Sequence, residues 1–164
     1  VIAVANHLMA SSAYWAGASA TEVVASPSAQ TGSIGVFAIH EDMSKALEAE
    51  GVTSTVISAG KHKVEGNHFG PLDDEARATI QAKVDESMAQ FVADVAKGRG
   101  VSASAVRSDY GEGRAVSSSQ ALAAGMIDRI ATLDETIARL AGRTRQRADA
   151  GRRSRRAQRA MIGA

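Results

Sequence analysis

The chain of 164 residues is long enough for one domain with its own core, and its aliphatic, Ala-rich, aromatic-poor composition is that of a globular α/β protein rather than a disordered one. It contains no cysteine, which excludes a disulfide framework and any cysteine-ligated metal cluster. The formal net charge of +1 hides an asymmetry: between 141 and 164 eight arginines stand against one acid, Asp149, so this tail carries +7 and residues 1–140 carry −6.

Val1 to Asn6 is β-branched and apolar and reads as a buried strand. A chain that opens without methionine inside such a strand is expected to lack the N-terminal part of its fold. The strand breaks into Met9-Ala10-Ser11-Ser12-Ala13-Tyr14-Trp15, where small residues lead into an Ala-rich helical stretch. Glu22 to Ala25 is a short strand, Pro27 marks a turn, and Ser33 to Ile39 is strand-like again.

Met43, Ala46 and Leu47 share one face of a helix expected from about Glu41 to Glu50, stopped by Gly51. Val52 to Ile57 follows as a β-branched strand, and the Gly- and His-rich stretch from Gly60 to Gly70 is loop. The longest helix is expected from Asp73 to about Lys97, because Ile80, Val84, Met88, Phe91 and Val95 recur at three- and four-residue intervals. Asp73, Asp74 and Glu75 suit its positive end and Gly98-Arg99-Gly100 its stop. Ser102 to Arg107 and Ser117 to Ala124 are short helices, Met126 to Ile130 a strand, and Leu133 to Leu140 the last helix of the body. Strands alternating with helices predict crossover connections and a largely parallel sheet. There is no internal repeat, no apolar run long enough to span a membrane, and no charged-then-apolar leader.

Two residues carry the candidate chemistry. Ser11 lies where a strand hands over to a helix, at the positive end of helical N–H groups that can hold an oxyanion, so it is the candidate nucleophile. A serine there also suits plain helix capping. Downstream, Ser58-Ala59-Gly60-Lys61-His62-Lys63-Val64-Glu65 follows a β-branched strand. A loop lysine serves as general base when burial leaves its amine neutral, and Lys61 and Lys63 both qualify by spacing.

These blocks resemble the protease IV and signal peptide peptidase family of Ser-Lys serine proteases. The resemblance rests on Ala10 to Trp15, on Pro27 to Thr31 leading into Gly32-Ser33-Ile34-Gly35-Val36, and on Gly60-Lys61-His62-Lys63. It continues through Gly98-Arg99-Gly100 and the Gly113-Arg114-Ala115-Val116 to Gly125-Met126-Ile127-Asp128 run, covering roughly residues 1 to 135. Carried over by position, it implies Ser11 as nucleophile, Lys63 rather than Lys61 as base, Ser33 as the residue orienting the Lys63 amine, and the Ser12 N–H as an oxyanion donor. The upstream Gly-Gly segment that completes the oxyanion hole in the family has no counterpart here.

Among the family's branches the phage head-maturation proteases look most similar, from Lys63-Val64-Glu65-Gly66-Asn67 and Pro71-Leu72-Asp73-Asp74-Glu75. What this implies is an α/β fold of the Clp protease and crotonase type, a spiral of strand-strand-helix units. It also implies a serine endopeptidase that needs no cofactor and no metal, processes capsid or scaffold proteins, and works in the host cytoplasm or in assembling phage heads. Relatives form rings in which the serine of one subunit can meet the lysine of the next. On this basis residues 1–140 are the protease domain and 141–164 an Arg-rich tail or linker.

Other functions are compatible with parts of the sequence. A bacterial signal peptide peptidase-like enzyme shares the motifs. A Ser-His-Asp triad would draw on His7, His40, His62 or His68, none of which stands in a known triad order. Crotonase-type acyl-CoA chemistry would not need Ser11 or Lys63, and a catalytically silent capsid assembly or scaffold module would need neither. The basic tail suits an acidic partner, a membrane surface, nucleic acid or simple solvation. Without interleaved aromatic residues, nucleic acid is the weaker match.

Overall fold

Two small sheets, laid side by side by alternating strands, organise the chain in a computed structural model that describes residues 1–143 and 150. The chain runs β1 (Ile2–Ala5), β2 (Leu8–Ala10), α1 (Ser12–Ala18), β3 (Glu22–Ala25) and β4 (Gln30–Gly32). After a long excursion holding α2 (Ser44–Ala49) come α3 (Asp74–Arg99), α4 (Ala103–Asp109), β5 (Ala115–Ser117), α5 (Ser118–Ala123) and β6 (Arg129–Ile130). Residues 133–143 are helical, crossing the boundary drawn at 141. Apart from 141–143 and 150, the Arg-rich tail lies outside the described residues.

The first sheet has the order β1-β3-β6 and is parallel throughout, with Ile2 opposite Glu22 and Val24 opposite Arg129. The second has the order β2-β4-β5, parallel between β2 and β4 (Ala10 opposite Gly32) and antiparallel between β4 and β5. Each strand pair thus places its first member in one sheet and its second in the other, with α1 closing the first strand-strand-helix unit.

The core lies between these sheets and the C-terminal half of α3. Val23, Val24, Phe91, Val92, Val95, Tyr14, Met126 and Ile127 are all buried there. The apolar period read along α3 is correct, but only Phe91 and Val95 of its five positions are fully buried, because the N-terminal half stands clear of the sheets. Asp73 caps α3 by accepting from Ala76 N–H at 2.7 Å, and Gly100, at φ 66°, ends it in the left-handed region. Gly98 is inside the helix, where a Cβ would collide with the Ala18 carbonyl at the end of α1; the missing side chain lets the two helices meet.

Several expected elements differ. Val52 to Ile57 and Ser33 to Ile39 pair with no strand, so their β-branched pattern finds no ladder and their backbone stays extended or irregular. The helix expected from Glu41 shortens to Ser44–Ala49, and the 126–130 strand to Arg129–Ile130. The opening strand is an edge: Val1 is exposed, Ile2 to Val4 are half-buried and only Ala5 is buried. Strands β2, β4 and β5 escaped the sequence pattern because each is three residues long, too short to show a period. Most of the exposed large apolar side chains sit on one stretch, among them Phe37, Ile39, Val52, Val56 and Ile57. No helix among the described residues is long and apolar enough to cross a membrane.

Candidate active site

Ser11 is the single residue between β2 and α1, and its backbone is held at φ 53°, ψ −127°. That conformation belongs to glycine in a type II′ turn and is strained for any residue with a Cβ. Two hydrogen bonds impose it. The Ser11 N–H donates to the Gly32 carbonyl at 2.8 Å, extending the β2-β4 ladder, while its own carbonyl accepts from Trp15 N–H at 2.9 Å as the first bond of α1. Although it occupies the N-cap position, its side chain makes no capping hydrogen bond. A strained strand-to-helix turn with an exposed hydroxyl is the arrangement a nucleophile elbow requires.

Beside Ser11 opens a cavity of about 280 Å³, lined by Ser12, Trp15, Gly35, Val36, Phe37, Ser87 and Phe91. Its aromatic wall is rigid: the Trp15 and Phe91 rings stack with centroids 4.4 Å apart and planes 6° from parallel. The Trp15 indole N–H is anchored to Asp94 Oδ2 at 2.9 Å. Two further cavities, about 340 and 470 Å³, continue along the extended 34–40 segment and share Val36 with the first. Their lining from α3 mixes apolar Ile80, Val84 and Met88 with Arg77, Gln81 and Asp85, so a groove of mixed polarity continues from the Ser11 cavity. Ser12 begins α1, where backbone N–H groups have no intrahelical partner.

Ser33 follows Gly32, the residue that binds the Ser11 N–H, and is also held at positive φ, 51°. Its N–H donates to the Arg114 carbonyl at 2.9 Å, so the Gly113-Arg114 turn supports the Ser33 backbone. The rest of that C-terminal block is structural. Tyr14 Oη donates to the Met126 carbonyl at 2.8 Å, and burial raises the Tyr14 hydroxyl well above its ordinary range. Asp128 accepts from Val23 N–H at 2.7 Å and from Arg99 through both terminal nitrogens, at 2.7 and 3.0 Å. The Arg99 bonds hold the Asp128 carboxyl below the usual carboxylate range.

Lys63 is exposed in a series of turns between 60 and 67 and does not line the Ser11 cavity. Lys61, its rival by spacing, is engaged elsewhere: its ammonium pairs with Glu75 Oε1 at 3.1 Å. His62 lies between Glu65 and Glu75, and the Glu65 hydrogen bond raises its imidazole above the ordinary histidine range. None of the four histidines lines the Ser11 cavity, and His40 is bound through Nε2 to the Asn67 carbonyl at 2.9 Å. The structure therefore brings together Ser11, Ser12 and the Trp15–Phe91 wall, and leaves Lys63 outside. The sequence does not mark this wall as a site, because Phe91 has the same spacing as the buried face of α3.

Residues 1–147 match the profile of peptidase family S49. The chain is 33% identical over 137 residues to the capsid assembly protease C of Escherichia phage lambda, an alignment covering 84% of this chain and 31% of that protein. It is 29% identical over 141 residues to the head-tail preconnector protein of Enterobacteria phage P21 (86% and 28%). It is 26% identical over 149 residues to protease 4 of Haemophilus influenzae (91% and 24%). The chain spans about a quarter to a third of the length of these three relatives.

Proposed function

The chain belongs to peptidase family S49, and from that premise we propose that it is the catalytic portion of a serine endopeptidase working through a Ser11–Lys63 dyad. The observation that carries this reading is Ser11 itself: a strained, exposed serine with no capping role, beside a cavity walled by Trp15 and Phe91. Extended peptide would lie along the groove that continues from this cavity, with a small or apolar side chain against Trp15 and Phe91. Ser11 Oγ attacks the carbonyl while the neutral Lys63 amine takes its proton. The oxyanion is met by backbone N–H groups including that of Ser12, and the Lys63 ammonium then protonates the leaving amine. Water repeats the cycle on the acyl-enzyme. Ser33 orients the lysine.

The strand-strand-helix order supports a spiral of the Clp protease and crotonase type. Because Lys63 is exposed and lies outside the cavity of its own Ser11, the dyad is assigned between neighbouring subunits of a ring. The apolar side chains exposed between Phe37 and Phe69 are the surface such a neighbour would cover. The named activity of the lambda relative supports capsid or scaffold proteins as substrates, in the cytoplasm of a bacterial host or within an assembling head.

A serine-directed fluorophosphonate probe and a peptide-cleavage assay test this together. Ser11→Ala should lose labelling, and Ser11→Ala, Lys63→Ala and Lys63→Arg should each lose cleavage by about a thousandfold or more while Lys61→Ala keeps it. Co-assembling Ser11→Ala with Lys63→Ala should restore about a quarter of wild-type cleavage if the dyad spans subunits, since that share of interfaces regains both residues. Labelling that survives in Ser11→Ala, or cleavage that survives in Lys63→Ala, overturns the assignment.

A further inference from the structure

We propose that His62, Glu65 and Glu75 form a binding site for a divalent transition-metal ion, Zn²⁺ being the best match, which ties the Lys63 loop to the first turn of α3. Three groups of the right chemistry converge there from two separate elements. Their ligating atoms all lie within 4.8 Å of one another. His62 Nδ1 is 3.9 Å from Glu75 Oε1 and in direct contact with Glu65 Oε1. Tetrahedral zinc with bonds near 2.1 Å sets its ligands about 3.4 Å apart, so separations of up to 4.8 Å close by at most about 1.4 Å and the direct His62–Glu65 contact opens by a similar amount. One imidazole with two carboxylates suits zinc, whereas magnesium and calcium favour all-oxygen sites.

The surroundings define how the site behaves. His62 and Glu75 are half-exposed or more, which leaves room for a water at the fourth position and gives the ion an open path from solvent. Lys61 already pairs with Glu75 Oε1 at 3.1 Å, so its ammonium competes with the ion for that oxygen. Lys63 stands between the ligands His62 and Glu65, so a bound ion fixes the backbone on both sides of it. The site is distinct from the Ser11 cavity and does not depend on the dyad.

Isothermal titration of the metal-stripped full chain with ZnCl₂, with MgCl₂ in parallel, tests the site directly. One zinc should bind with micromolar affinity and magnesium at least tenfold more weakly. His62→Ala and Glu75→Gln should each weaken zinc at least tenfold, while Lys61→Ala should tighten it. Zinc should also slow amide hydrogen exchange across residues 60–67 in the wild type and not in His62→Ala. Circular dichroism verifies that each variant is folded. Wild-type affinity retained in both His62→Ala and Glu75→Gln, or no zinc binding up to millimolar concentration, overturns the proposal. These readouts do not involve cleavage, so a failure of the Ser11–Lys63 assignment leaves them intact.

Discussion

Replacing Ser11 with glycine should stabilise the protein while destroying its activity. At φ 53°, ψ −127° the Ser11 backbone occupies a region that costs a residue with a Cβ about 1–3 kcal/mol and glycine almost nothing. Glycine gives back about 0.5–1 kcal/mol through the extra freedom of the unfolded chain. No capping bond is lost, because the Ser11 hydroxyl makes none. The net gain is therefore about 1 kcal/mol, or about 2–4 °C in melting temperature for a chain of this size. Ser11→Ala is the control: it removes the same hydroxyl, keeps the Cβ and should melt within about 1 °C of the wild type. Thermal melts of the three proteins at one concentration, followed by circular dichroism, read the difference, and fluorophosphonate labelling verifies that both variants are silent. If Ser11→Gly melts at or below Ser11→Ala, the strain is not stored at Ser11 and the elbow argument fails.

Two further outcomes are expected, one from the structure and one from the charge of the sequence. Asp128→Asn keeps one acceptor but turns an amide donor toward Val23 N–H or the Arg99 guanidinium, whose side chain is 7% exposed, so about 2 kcal/mol should be lost at pH 7 after discounting for the partly exposed carboxylate. Asp128 has a folded-state pKa below its unfolded value near 3.9, so its contribution is present above that pH and disappears as pH falls through the folded value. Denaturant melts of both proteins should converge toward pH 3, and a gap that stays constant from pH 7 to 3 would assign the loss to packing instead. Truncating the chain before Arg143 should spare cleavage of a short peptide yet weaken binding to an acidic scaffold protein in a salt-sensitive way. Nucleic acid compared at matched ionic strength should bind less well than scaffold. Loss of peptide cleavage with the oligomer intact would place the tail within the catalytic domain.

Much of the architecture is local and could be read from the residues alone. Glu22 to Ala25 forms the strand its β-branched run predicts, and Asp73 and Gly100 bound the long helix because capping acts within a turn of where those residues stand. The Ser11 block was legible for the same reason, as a strand, small residues and a helix in immediate succession. The choice of Lys63 over Lys61 rests on resemblance alone, since spacing does not separate the two; in the tertiary structure Lys61 is paired with Glu75 and Lys63 lies outside the Ser11 cavity.

What the tertiary structure decided are the relations between segments far apart in sequence. Val52 to Ile57 has the composition of a strand, yet a strand exists only when a partner offers its hydrogen-bonding edge, and none of the described residues does. The strain at Ser11 is imposed by Gly32 across the sheet, the cavity wall by Phe91 and Asp94 on a helix some eighty residues away, and the His62–Glu75 approach by how the loop returns to α3. Composition and periodicity describe which face a residue prefers to bury. Only the packed chain determines what that residue meets there, because register and contact are properties of two elements at once.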